Sequence, residues 1–387
     1  MTSHISYSKL KYFVIFFVAI ILQLLVRFIS GLQKLLYNAR NTLPFLRGVN
    51  SYSEASNSFS MIIFFGYFCF HFLLSILTIK KNGFSKVIHR QMWLIKIFIL
   101  FALCSGAMFI PRDILINFSF AAVILISVFI VFQFISLAQL GYIINNDLYN
   151  DGSQFVNQIF LIIISVILFG AGLAMEISCF YYGKGHIHSI WTAIVNIVLA
   201  IAYTVLSILW IEGCILTCAI IFCVFSIWTF VVFVMFTNLI VPSWVEVFIY
   251  IVQDLSLIIT IMVFSSTDIS VSALFSGASS GESIDQGLDI LSEEESWDKN
   301  TSDQPEPNVP YKMWYFHFLL TLSCCCFVFG TGINLPFSPL QRQIGAVTLD
   351  AGTIAAAIIF IWTLLATRLF PERDFGVPNS SREALIA

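Results

Sequence analysis

Long apolar runs, each about 20 residues and separated by short polar stretches, dominate the chain from end to end. That length matches a hydrocarbon core roughly 30 Å thick. The pattern predicts ten membrane-spanning helices over residues 11–30, 59–79, 92–111, 114–145, 155–178, 189–210, 213–236, 243–265, 312–333 and 350–370. The fourth runs from Ile114 to Asn145 with neither a Pro nor a clear polar break. As one helix it would reach about 48 Å, more than the core requires, so it must tilt or protrude. The first span follows Lys9 and Lys11. Its apolar stretch is too long for a signal peptide and no small-residue cleavage site follows, so it reads as a retained anchor.

Domain organisation follows from the same pattern. Residues 1–265 hold spans one to eight, and 266–311 form a polar loop containing "SGASSGES" and "LSEEESWDKNTSDQPEP". Residues 312–370 hold spans nine and ten, and 371–387 form a tail. The loop lacks the apolar residues to join a core and is expected to be disordered. Its Ser-rich acidic character suits kinases or trafficking adaptors as partners, or simply a solvated linker.

Composition agrees: 59% of residues are hydrophobic and 11% charged, against about 25% charged in soluble domains. The net charge of −3 gives no sign of nucleic-acid binding. An even number of spans puts both termini on one side, and Lys and Arg select the side. Lys9, Lys11, Lys80, Lys81, Lys86, Arg90, Lys299, Lys312, Arg368, Arg373 and Arg382 fall on one side. Arg27, Lys34, Arg40, Arg47, Arg112, Lys184 and Arg342 fall on the other. The richer set, with its cluster "KKNGFSKVIHR", predicts cytosolic termini. The membrane itself, plasma or internal, is not encoded in this pattern.

Soluble catalytic chemistry is missing from the pattern. There is no G-x-x-x-x-G-K-[ST] phosphate loop and no H-E-x-x-H. The chain is expected not to be an enzyme and to need no cofactor. His186 and His188 form an H-x-H pair without a third ligand in sequence, so no metal site is expected. Most of the nine Cys fall inside apolar runs and read as small packing residues. Gly352 and Ala356 form a small-xxx-small pair that lets helices approach closely.

The chemistry that remains lies inside the spans. Lys96, Glu176, Asp254 and Asp350 are ionisable residues in or at the edge of apolar runs, and His71, His317, Gln133 and Gln139 accompany them. Such groups usually face a bundle interior or a wet cavity. Lys96 sits about 9 Å along a continuous helix from Arg90, so it either snorkels to the headgroups or works inside the protein.

Three blocks together resemble the serine incorporator (Serinc) family. The first, "LTIKKNGFSKVIHRQMWLIKIFILFALCSGAMFIP", carries His89, Trp93, Lys96, Ile110 and Pro111. The second, "PYKMWYFHFLL", carries Phe316 and His317. The third, "IWTLLATRLFPERDFG", carries Trp362, Arg373, Asp374 and Phe375. The chain departs from the family pattern where an acid common late in the fourth span is replaced by Gln139. The resemblance implies an all-α polytopic membrane fold with two helix bundles separated by a long tilted helix. It also implies lipid handling: phospholipid scrambling, or support of phosphatidylserine and sphingolipid synthesis. Lys96, Gln133, Gln139 and Asp254 are then the expected headgroup groove, with membrane phospholipids as partners and a homo-oligomer compatible with the pattern. The alternatives are a secondary transporter of a small polar solute such as serine, which would show broken helices in matching halves, and a non-transporting scaffold.

Overall fold

A computed structural model describes residues 7–80, 83–150, 154–183, 187–209, 214–237, 251, 254–263, 278–279, 313–332, 338–369 and 373–374. Twelve helices carry the described fold. They are α1 (Tyr7–Phe28), α2 (Ser30–Asn38), α3 (Tyr52–Leu77), α4 (Gly83–Arg90), α5 (Trp93–Ala107) and α6 (Arg112–Asn150). Then follow α7 (Gln154–Tyr182), α8 (Ile187–Leu209), α9 (Ile215–Thr237), α10 (Asp254–Val263), α11 (Met313–Gly332) and α12 (Pro339–Leu369). Two short 3-10 turns, Ala39–Asn41 and Pro44–Leu46, lie between α2 and α3.

Helices win here because a membrane offers no water to bare backbone groups, and a helix satisfies its own. Among the described residues, seven helices are long and apolar enough to cross a membrane; α4 and α5 together form an eighth, bent by 73°. Asp254–Val263 and Met313–Val328 are shorter apolar helices. The seven helices and the bent pair fall at eight of the ten expected spans, and the two shorter helices fall within the other two, 243–265 and 312–333.

Several boundaries differ from the sequence pattern. The tenth helix begins at Pro339 rather than 350, because Gln341, Arg342 and Gln343 dilute the apolar signal without breaking the helix. Asp350 therefore lies well inside α12 instead of opening it. The first span ends at Phe28 and α2 follows after a break at Ile29. The third span is not one continuous helix, so the straight-line distance from Arg90 to Lys96 does not apply. The eighth span, expected over 243–265, lies largely outside the described residues.

Two groups of helices emerge. In the first, α3 packs against α1, α2, α5 and α11. In the second, α9 packs against α7, α8 and α12. Between them runs α6, 39 residues and therefore about 58 Å long, touching α11 on one side and α7, α9 and α12 on the other.

Close approach is built from small residues. A Cβ added at Gly352 would lie 2.9 Å from the Ser127 Cα, and one at Gly141 would lie 2.9 Å from the Thr217 Cα. Ala356 is fully buried beside Gly352 on α12. All nine Cys are free thiols, and Cys324 to Cys326 are wholly buried on α11. The start of α3 is capped by Ser51, whose hydroxyl accepts from the Glu54 amide at 3.1 Å. Glu54 in turn meets Arg112 at 3.3 Å, and Arg112 also donates to the Gly48 carbonyl at 2.8 Å. Those contacts tie the start of α6 to the first bundle.

Of the 266–311 loop, Ala278–Ser279 is described: it pairs antiparallel with Arg373–Asp374. Phe375 and the rest of the loop and tail lie outside the described residues.

Candidate functional site

The α4–α5 bend creates a chemical problem at a helix end. Met92 adopts φ 60° and ψ 35°, the left-handed region, and the helix cannot continue through it. The Gln91 amide still closes the last helical turn on the Val87 carbonyl at 2.8 Å. The carbonyls beyond it lose their usual intrahelical donors, and side chains serve two of them. The Trp93 indole donates to the Arg90 carbonyl at 2.8 Å. The His89 carbonyl accepts both the Lys96 ammonium at 2.9 Å and the Tyr12 hydroxyl at 3.1 Å. A cation at a helix C-terminus also complements its dipole.

Lys96 is 4% exposed, and the remaining faces of its ammonium rest on aromatic rings. The Trp93 centroid is 4.0 Å away and the Tyr12 centroid 5.0 Å. No carboxylate lies within ion-pair distance of it among the described residues. Magnitudes show why none is required. A charged bond to a carbonyl contributes about 1.5–3 kcal/mol and a desolvated cation–π contact about 2 kcal/mol. One such bond and two such contacts exceed the roughly 2.5–3.5 kcal/mol cost of placing Lys at membrane depth.

Behind this clamp lies a chain of three buried imidazoles. His89 Nδ1 is 3.0 Å from His317 Nε2, and His317 Nδ1 is 3.3 Å from His71 Nδ1. Both nitrogens of His317 are engaged, so one must donate and the other accept while the ring is neutral. The Tyr12 ring stands edge-on to His317 at 4.7 Å, and Phe316 packs on both Tyr12 and His89. Four elements thus converge, α1, α3, the α4–α5 bend and α11. Two of the three sequence blocks meet here.

The expected groove residues fall in different places. Lys96 sits within the first bundle. Gln133 is buried where α6 meets α9 and α10: the Trp228 indole donates to its Oε1 at 3.0 Å, and its Nε2 lies 3.3 Å from Ser256 Oγ. Gln139 is half-buried further along α6, and its Oε1 has no partner among the described residues. Asp254 is buried on α10, its Oδ2 has no hydrogen-bond partner among the described residues, and no ion pair joins it to Lys96 there. Arg27 donates to Asn57 at 3.1 Å. Ile110 and Pro111 form the turn from α5 into α6, and Trp362 lies in the C-terminal half of α12.

A second polar centre lies between α7, α8, α9 and α12. Asn196 Nδ2 donates to Glu176 Oε1 and lies 3.4 Å from the hydroxyls of Ser226 and Thr229. His188 Nε2 is 2.8 Å from Asp350 Oδ2, and Thr192 Oγ is 3.0 Å from the same oxygen. The sequence reading named Glu176, Asp350 and His188 separately and missed Thr192 and Asn196. The signal was present: His188, Thr192 and Asn196 recur every four residues on one face of α8. His186 lies outside the described residues, and no cluster of three potential metal ligands occurs among the described ones.

These features define an all-helical, multi-pass membrane protein with buried polar centres between its helices. The chain matches the serine incorporator (Serinc) family over residues 1–373 and belongs to that family. A "probable serine incorporator" of Nematostella vectensis is 33% identical over 92 residues, 22% of this chain. That match spans 20% of the relative's own length.

Proposed function

We propose that the protein handles phospholipids passively, letting headgroups cross the hydrocarbon layer along α6 while the acyl tails stay in lipid. The observation that carries this reading is α6 itself: a helix about 58 Å long between two bundles, with polar groups at membrane depth. Gln133 and Ser136 are buried along it, and the Ser127 hydroxyl donates to the Thr348 carbonyl at 2.8 Å. Each of these polar contacts bridges helices or serves α6 itself in the closed arrangement, so traffic requires the bundles to part along α6. Support of serine-derived lipid synthesis is the membrane-level consequence we assign to the same activity. No chemical step and no cofactor belong to this proposal. The Lys and Arg distribution supports cytosolic termini in a plasma or internal membrane, and the acidic loop supplies a surface for adaptors or kinases.

The test is reconstitution of the full chain into liposomes carrying a fluorescent phospholipid in both leaflets. Lipid handling is expected to expose the inner-leaflet probe to a membrane-impermeant quencher. Protein-containing vesicles that protect the inner probe as well as empty ones would refute it. One observation favours a second reading, transport of a small polar solute: the bend of 73° between α4 and α5 makes a broken span, as solute carriers use. Uptake of labelled serine without lipid exposure in the same vesicles would select that reading. A chain that did neither would be left as a scaffold.

A further inference from the structure

The second bundle contains an acid pair that the lipid reading does not use. Glu176 is wholly buried on α7 and bonded to Asn196, and Asp350 on α12 is bonded to Thr192, one turn earlier on the same face of α8. Each carboxylate has one oxygen engaged and one without a partner among the described residues, Glu176 Oε2 and Asp350 Oδ1. The helices around them supply Asn196, Thr192 and Tyr203 from α8, Ser226 and Thr229 from α9, and Cys179 from α7. All of these are neutral in their ordinary state. His188, at the start of α8, is the group that reaches outward: its side chain is 31% exposed, against 8% for Asp350.

Two like charges facing each other in a low-dielectric interior are costly, and a shared proton removes one of them. Asp350 has the better means to stay ionised, with the His188 imidazole at 2.8 Å and the Thr192 hydroxyl at 3.0 Å. Glu176 has only neutral partners. A proton on Glu176 Oε2 would give that oxygen a donor, and Asp350 Oδ1 is an acceptor in need of one.

We infer that Glu176 is a reversible proton-binding site, supplied from the α7–α8 turn through His188 and Asp350. His188 takes a proton from water on its outward face and passes its Nε2–H to Asp350 Oδ2. The imidazole returns to neutral, and the proton moves on to the Glu176 carboxylate, leaving Asp350 ionised. No electrons move and no other reactant is needed. With cytosolic termini, the α7–α8 turn faces the opposite side, so the site samples the lumenal or extracellular pH.

The test is an infrared pH titration of the purified full-length protein, reading the carbonyl band of protonated carboxylic acids. It needs no lipid movement, so its outcome is independent of the proposed function. One titrating component of that band is expected in the wild-type minus Glu176→Gln difference spectrum, beside the background of the other Asp and Glu carboxyls, and the same component is expected to persist in Asp254→Asn, the control at another buried acid. Glu176→Gln retains an oxygen for Asn196, which favours folding; a monodisperse peak on size exclusion and the remaining bands confirm that the variant is intact. His188→Gln is expected to slow hydrogen–deuterium exchange of the same band without removing it. The inference is overturned if the wild-type and Glu176→Gln titrations superimpose, so that no component of the band belongs to Glu176. It is also overturned if sodium or potassium abolishes the band at fixed pH, which would give the site to a metal cation.

Discussion

Replacing Lys96 with methionine removes a charge but keeps a long apolar side chain on α5. Two cation–π contacts disappear, about 2 kcal/mol each when desolvated. The charged bond to the His89 carbonyl goes too, about 1.5–3 kcal/mol. Against this, the variant escapes the roughly 2.5–3.5 kcal/mol cost of an ammonium at membrane depth. The balance is a destabilisation of about 2–4 kcal/mol, softened where Tyr12 still holds the His89 carbonyl. Equilibrium unfolding in mixed micelles measures it directly. A double-mutant cycle with Trp93→Leu then isolates the ring contact, because the two losses should be less than additive. If Lys96→Met unfolds like wild type while lipid exposure in liposomes falls, the clamp is wrong and the ammonium serves a ligand. If stability falls and the residual folded protein moves lipid normally, the clamp stands.

Other outcomes follow from the packing and the loop. Gly352→Val should destabilise by about 1–3 kcal/mol, since the new side chain meets the Ser127 backbone and not a movable tip; Ser127→Ala should not rescue it, and thermal melts of both variants check this. Deleting residues 272–305 is expected to leave the helical core monodisperse in detergent, despite the short pairing of Ala278–Ser279 with Arg373–Asp374; an aggregated or shifted peak would show that the pairing is structural. The sequons at Asn300 and Asn379 should carry no glycan if the termini are cytosolic, and an endoglycosidase-sensitive band shift would reverse the orientation.

The helical, membrane-crossing character of the apolar runs was legible because bilayer thickness imposes a length on each, and among the described residues seven helices and one bent pair meet it. The α4–α5 bend was not, because neither Gly nor Pro marks it: the left-handed residue is Met92. The histidine chain was equally hidden. His71 and His317 are 246 positions apart and His89 and His317 are 228 apart, and no periodicity announces a meeting over such distances. The family-like His89, Trp93 and Lys96 spacing was visible, but its use as a side-chain cap on a broken helix emerges only with the bend. The His188, Thr192 and Asn196 row failed for a smaller reason. The predicted helix began at 189, which left its first member in a loop.

The two fastenings of α6 constrain how the halves of the molecule move. Near its start, Arg112 is pinned to Gly48 and Glu54 of the first bundle. Towards its end, Gly141 lies so close to Thr217 that a single methyl would strike the neighbouring backbone, and the Cys214 thiol reaches the Gly141 carbonyl at 3.9 Å. A rod fixed at opposite ends to different bodies resists sliding along its length. It resists far less a twist about its own axis, which changes neither fastening distance to first order. Should the bundles move relative to one another, counter-rotation about α6 would strain these fastenings least, opening the seam by angle and not by translation.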